Sequence, residues 1–352
     1  MVGPFPPPVG GAAKITQAVL EAVQHSGSRV TSLDTSGAHL SHTRSPTYHA
    51  RRMLRTLAVL VSLITLSARK RVFYVVPDGG KGVWYTAAYV RVSSLRCRRI
   101  VLHHHSCRYI EQHDKAMQLI TRWTQGLAEH VFLTPGMLEA YQRRYGRVNA
   151  RVVGNAAFSS SRPLVQRSSL PMIRLGHLSN LCTDKGFFEV ADTFERLSAA
   201  GLPVELHLAG PALDASVSTK LKELSDSHVG SVVYHGVVSG REKDAFYDQL
   251  DVFLFPTSFA QEAAPNVIYE AAAAGVPTLS IDRGCISEIT EALAGATCSR
   301  TDDFGNFVEQ WLGARTRDEL AGVQKEVNWR FTLLKLRSSR DLDELISSMQ
   351  QG

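Results

Sequence analysis

The chain has 352 residues, 44% apolar and 20% charged, with a formal net charge of +6 and a pI near 9.1. That length suits two domains better than one, and the modest basicity fits anionic ligands or an anionic membrane surface. No aromatic-and-basic recognition motif is present, so nucleic acid is set aside, and five scattered cysteines without CxxC spacing argue against a disulfide framework or a zinc knuckle and for a reducing compartment.

The amino terminus, M-V-G-P-F-P-P-P-V-G-G, has no cationic region followed by an apolar core, so export is not expected and the chain is placed in the cytoplasm. Only Met1 and Val2 precede Gly3, so the first strand is expected to be nearly absent and the start to be clipped. Gly10 and Gly11 precede a helical pattern over Ala12 to Gln24, where glycine lets backbone approach a bulky ligand; a plain turn is the alternative. The longest apolar run, Leu57 to Leu66, is far shorter than the roughly 20 residues that span a bilayer. Arg51, Arg52 and Arg55 precede it, and Arg69, Lys70 and Arg71 follow it. It can lie in an interface among anionic headgroups, as a peripheral association on the inner face of the membrane, but a core helix with solvated ends is the favoured reading.

Strands expected at Val72 to Val76, Ile100 to Leu102 and Val131 to Leu133 alternate with helical patterns near 47–68, 82–96 and 114–128, which defines an α/β first half with a mainly parallel sheet. His103, His104 and His105 end a strand. Neighbouring strand side chains point to opposite faces, so the three cannot all bind one metal, and His103 and His104 are read as structural. Phe158 to Leu170, rich in Ser with Arg and Pro, reads as a linker.

A second alternation places strands at Ile173 to Leu175, Val204 to Leu208, Val232 to Tyr234, Val252 to Phe255 and Thr278 to Ile281, with helices near 186–199, 213–226, 239–250 and 265–274. A last helical pattern covers about 333–350. Three domain segments follow: 1–165, 166–330 and a terminal helix in 331–352.

The most informative stretch is E-A-A-P-N-V-I-Y-E, Glu262 to Glu270. Pro265 suits the first helical position, Gly275 can close the helix in a left-handed conformation, and Pro277 stops it. The loop lies beyond the carboxyl end of a strand, where such sheets bind ligands, and the helix start offers N–H groups to an anion. Carboxylates only accept, so Glu262 and Glu270 suit sugar hydroxyls while phosphate oxygens go to the helix start and to cations; a solvated acidic face is the bland alternative.

Lys185, in L-S-N-L-C-T-D-K-G, is a compact charge suited to phosphate at a helix start.

Together with A-A-A-A-G-V-P, Gly284 and Glu288, these motifs resemble the signature of retaining glycosyltransferases of family 4. The match is strong over 171–291 and looser in the first half. The resemblance implies a GT-B fold, two Rossmann-like doubly wound domains facing each other across a cleft, with the terminal helix packing back on the first. It implies transfer of a sugar from a nucleotide diphosphate sugar to a hydroxyl acceptor with retention, in cell-surface polysaccharide or glycolipid synthesis, with no metal and no cofactor. Glu262 would contact donor-sugar hydroxyls, Glu270 both ribose hydroxyls, and the amides near Asn266 and Val267 the phosphates. Lys185 would hold the diphosphate, Gly10 and Gly11 would close over the donor, and His105 before Ser106 would reach the sugar or acceptor.

Two positions depart from the family pattern. Asn180, carried as a donor contact, stands where an arginine is usual and can hydrogen-bond a phosphate but supplies no charge for the diphosphate, and Ala263 stands for a glycine. A non-catalytic nucleotide-sugar binder or scaffold of GT-B fold is therefore the alternative, and a nucleotide-sugar epimerase a third reading that lacks an acid and a base.

Overall fold

The computed structural model describes residues 1–7, 10–36, 46–65, 71–165, 172–299 and 302–351, with the backbone alone for 46–49. The chain divides into two compact units, Met1–Phe158 with Leu336–Gly352, and Ser159–Lys335. Of the expected linker, residues 166–170 lie outside the described residues.

In the first unit the order is β1 (Val2–Gly3), α1 (Gly11–His25), β2 (Leu33–Asp34), α2 (Pro46–Thr65), β3 (Val72–Val75), α3 (Val83–Ser94) and β4 (Arg99–His103). There follow α4 (Arg108–Glu111), α5 (Lys115–Trp123), β5 (Ala128–Phe132), α6 (Pro135–Tyr145) and β6 (Ala150–Val152). The six strands are parallel in the order β2-β1-β3-β4-β5-β6. The first strand, expected to be nearly absent, is two residues long and central in the sheet, with Val2 almost fully buried between β2 and β3. Val76, Val101 and Val131 pack with Ile15, Val19, Leu345 and Ile346, so the terminal helix contributes to this core.

The second unit runs β7 (Ile173–Leu178), α7 (Phe187–Ala199), β8 (Val204–Ala209), α8 (Ala215–Ser227), β9 (Val232–Tyr234), α9 (Gly240–Asp248) and β10 (Val252–Phe255). It continues with α10 (Asn266–Ala273), β11 (Thr278–Ile281), α11 (Ile286–Ala292), β12 (Ala296–Cys298), α12 (Phe304–Gly313) and α13 (Arg317–Gln350), which from Leu336 onward belongs to the first unit. Six parallel strands again form one sheet, in the order β12-β11-β10-β7-β8-β9. Leu206, Leu208, Val252, Leu254 and Leu279 meet Phe187, Phe194 and Val308 in a fully buried layer, because strands covered by helices on both faces keep no polar side. This is the doubly wound arrangement, with the order reversing between β7 and β10.

Two boundaries differ from the sequence reading. Pro265 is the residue before α10 and not its first helical residue; Gly275 takes the left-handed conformation at φ +71° as expected. The last helix starts at Arg317, well before 333. Its early turns bury only Leu320, Val327 and Phe331 with Gln324, a stripe too sparse to show as apolar periodicity.

The helix α2 is not the core helix with solvated ends that the sequence favours. Thr56, Val59 and Leu63 are buried, but Met53, Leu54, Leu57, Val61 and Ile64 are each more than half exposed. Among the described residues no helix is long and apolar enough to cross a membrane.

Candidate functional site

The switch point of the second sheet fixes where a ligand can sit, since the chain leaves neighbouring strands β7 and β10 in opposite senses and opens a crevice beyond their carboxyl ends. The loop after β7 carries Asn180 and Lys185; the loop after β10 carries Glu262 and leads into α10 with Asn266 and Val267. The two loops are stitched together. Asp184 O accepts from Ser258 N at 2.9 Å and from Thr257 Oγ1 at 3.1 Å. Cys285 N donates to Ala263 O at 3.1 Å, tying in the turn at Gly284.

Gly186 makes this stitching possible. Its φ of +82° is left-handed, and a Cβ there would stand 2.4 Å from Pro256 O, a backbone atom that cannot swing away. Gly186→Ala is therefore expected to cost about 3 kcal/mol, the sum of a strained backbone and a displaced loop. Urea denaturation checks this, and an unchanged midpoint would show that the loops are not held at Gly186.

Lys185 and Glu262, both candidates from the sequence, are brought together as an ion pair through Nζ and Oε2, with the two side chains about four-fifths buried or more. The ammonium also lies 4.6 Å from the centre of the Phe259 ring, whose negative face favours a cation. Behind them His177 is fully enclosed, its Nδ1 2.9 Å from Leu254 O and its Nε2 2.8 Å from Ser179 Oγ. Burial pushes His177 down to about 4 against the opposing effect of its Leu254 contact, so it stays neutral beside Lys185.

Glu270 sits one turn into α10 and is clasped by α9, with Lys243 Nζ 2.5 Å from Oε1 and Tyr247 Oη 3.3 Å from Oε2. Tyr247 also reaches Val267 O at 3.4 Å. Burial, then the Glu270 charge, holds the Tyr247 phenol well above its ordinary value, so it donates. Sequence reading missed Lys243 and Tyr247. The one available signal was their i,i+4 spacing, which puts both on one face of α9. Asn180, in the bend after β7, is partly exposed.

Three candidates belong to the first unit. Gly10 precedes α1 with extended backbone, and a Cβ there would meet nothing within 4 Å, so its surroundings are open. Gly11 opens the helix. His105 follows β4 with its ring centre 4.2 Å from that of His103, while His104 stacks in the opposite direction on Phe132 and hydrogen-bonds His130 and Tyr109 at 3.0 Å. That is the strand alternation expected of the three histidines. His103 Nδ1 meets Tyr74 Oη at 2.6 Å. The Nε2 atoms of His103 and His105 are buried with no hydrogen-bond partner among the described residues. Burial holds His105 neutral, at about 4. Among the described residues no group of three His, Cys, Asp or Glu side chains could hold a metal.

Residues 173–313 match the family model described as "Glycosyl transferases group 1". No curated protein matches the sequence. In three dimensions the chain is similar to HepE of Anabaena, solved in complex with UDP-glucose, with a TM-score of 0.66 at 13% identity over 99% of this chain and 98% of that one. It is also similar to sucrose-phosphate synthase from Thermosynechococcus elongatus, with a TM-score of 0.71 at 12% identity over 97% and 94% of the two chains. The lipopolysaccharide outer core galactosyltransferase WaaB gives a TM-score of 0.64 at 15% identity over 97% of both. The chain thus has the GT-B fold, two Rossmann-like domains, and its second unit is similar to group 1 glycosyltransferases.

Proposed function

We propose that this protein is a retaining, metal-independent glycosyltransferase of the family 4 type that moves a sugar from a nucleotide diphosphate sugar to a hydroxyl acceptor. One observation carries the reading: the switch point of the second unit presents two carboxylates, Glu262 and Glu270, on either side of a helix start, with Lys185 beside the first. Glu270, held by Lys243 and Tyr247, takes the ribose hydroxyls; Glu262 takes the donor-sugar hydroxyls. Lys185 and the first amides of α10, at Asn266 and Val267, stabilise charge on the departing diphosphate. These groups supply a positive field from the protein itself, which is the support for a metal-independent reaction without a cofactor. Neutral His105, whose Nε2 has no hydrogen-bond partner among the described residues, is assigned to the sugar or acceptor, and Gly10, with open space where a Cβ would stand, and Gly11 are assigned to the donor.

No side chain is assigned as a covalent nucleophile. The departing phosphate takes the acceptor's proton on the same face as the bond forms, which retains the anomeric configuration. The acceptor is a saccharide or a lipid-linked saccharide, which places the enzyme in polysaccharide or glycolipid synthesis; structural similarity to a lipopolysaccharide galactosyltransferase is in keeping with that.

The test is release of nucleoside diphosphate from a panel of nucleotide sugars that depends on an added acceptor. Tight binding without release would favour the non-catalytic binder, the reading that Asn180 in place of an arginine supports. For the site itself, Glu270→Ala is expected to weaken nucleoside diphosphate binding about 100-fold, because two hydrogen bonds to a charged acceptor are lost. Titration calorimetry reads this directly, and an affinity within twofold of the parent would remove Glu270 from the ribose.

A further inference from the structure

The exposed side of α2 is divided lengthwise. At helical spacing Met53, Leu54, Leu57, Val61 and Ile64 form one stripe, while Arg51, Arg55 and Ser62 line the flank beside it. The third face, with Thr56, Val59 and Leu63, is buried in the first unit. An apolar stripe of five large side chains in water is costly unless something covers it, and monomeric proteins seldom display one.

Charge says what that cover is. From Thr35 to Pro77 the sequence has seven lysines and arginines and no aspartate or glutamate, so this one segment accounts for the whole of the chain's net charge of +6. Four of the seven, Arg51, Arg52, Arg55 and Arg71, lie among the described residues. Arg52 is paired with Asp78 at 2.7 Å, and Arg55 stands 3.6 Å from a half-exposed Asp34; Arg51 is exposed on α2 itself. A helix whose exposed half joins an apolar stripe to a cationic flank matches a bilayer surface, where side chains enter the headgroup and acyl boundary and cations meet anionic lipid.

We propose that α2 docks this protein on an anionic lipid bilayer, lying in the plane of the surface with Met53, Leu54, Leu57, Val61 and Ile64 inserted. The inference stands apart from glycosyl transfer, since lipid binding can fail with donor binding intact. Flotation of the full chain with vesicles of phosphatidylcholine plus phosphatidylglycerol tests it, with phosphatidylcholine alone as comparison. The parent protein floats with the anionic vesicles, less with the neutral ones, and is released by salt. The double variant Leu57→Asp, Val61→Asp partitions at least about 100-fold more weakly, and Arg51→Gln about fivefold more weakly, one cation's contribution at an anionic surface. Both replaced leucine and valine positions face solvent, so the melting temperature and nucleoside diphosphate affinity of the double variant stay those of the parent. A parent protein that remains at the bottom of the gradient with anionic vesicles overturns the proposal. So does a dimer in sedimentation that the double variant dissolves without any vesicle binding, which would make a second copy the occupant of the stripe.

Discussion

Acidification is expected to unfold the first unit before the second. His103, His104, His105 and His130 are all enclosed in the first unit, and burial is the leading reason each is held neutral: His105 at about 4, His130 at about 3, and the other two well below 6.5 with help from neighbouring imidazoles. In the unfolded chain each titrates near 6.5. Between that value and the folded one, the unfolded state binds more protons than the native state, so stability falls as the pH drops through the window from about 6.5 to about 4. Each imidazole withdraws about 1.4 kcal/mol per pH unit, so by pH 5.5 the four together remove about 5 kcal/mol, comparable with the total stability of an ordinary domain.

The second unit loses less. His177 and His207 are each lowered to about 4, burial outweighing Glu205 at 3.2 Å for the second, and the less enclosed His235 is also lowered, so three imidazoles act there against four in the first unit. Hydrogen exchange read by mass spectrometry along a pH series resolves the two: peptides of β4 and β5 lose protection above the pH at which those of β7 and β10 do. Equal protection in β4 and β5 at pH 6.5 and pH 5 would show that these histidines are not the acid-sensitive element.

What the sequence makes legible follows from how local the cause is. The strand–helix–strand unit around Glu262 was readable to within a residue or two, since β10 is an uninterrupted apolar run ending at Pro256 and β11, T-L-S-I, starts directly after the helix stop at Gly275 and Pro277. By contrast β2, β6 and β12 are two or three residues long and hold few fully buried side chains, so only pairing with a distant neighbour makes them strands. The site divides in the same way. Lys185, Glu262 and Glu270 stand in turns and helix starts with local signatures. Lys243 sits in a run of charged residues on α9 that reads as a solvated face, and only tertiary packing brings it to Glu270. The stripe on α2 was hidden for the opposite reason: an apolar run announces burial, and sequence alone cannot say that half of it faces water.

Replacing Lys185 by Met is expected to lower kcat/KM by about 10³-fold, the effect of removing a preorganised charge from a developing anion. In the state seen here the ammonium is neutralised by Glu262, and both side chains are largely withdrawn from water. A donor diphosphate offers more negative charge than one carboxylate, so under the proposed function donor entry is expected to exchange the partner of Lys185 and free Glu262 for sugar hydroxyls. The two side chains then have separable effects. Lys185→Met leaves the Glu262 carboxylate near the diphosphate with no counterion, so affinity for the nucleoside diphosphate falls with turnover. Glu262→Gln leaves Lys185 without a competitor, so that same affinity is unchanged or higher while kcat/KM for the intact donor drops. Calorimetry with nucleoside diphosphate and steady-state turnover on the same two variants distinguish this exchange from a structural ion pair, which would lower both quantities in parallel for either substitution.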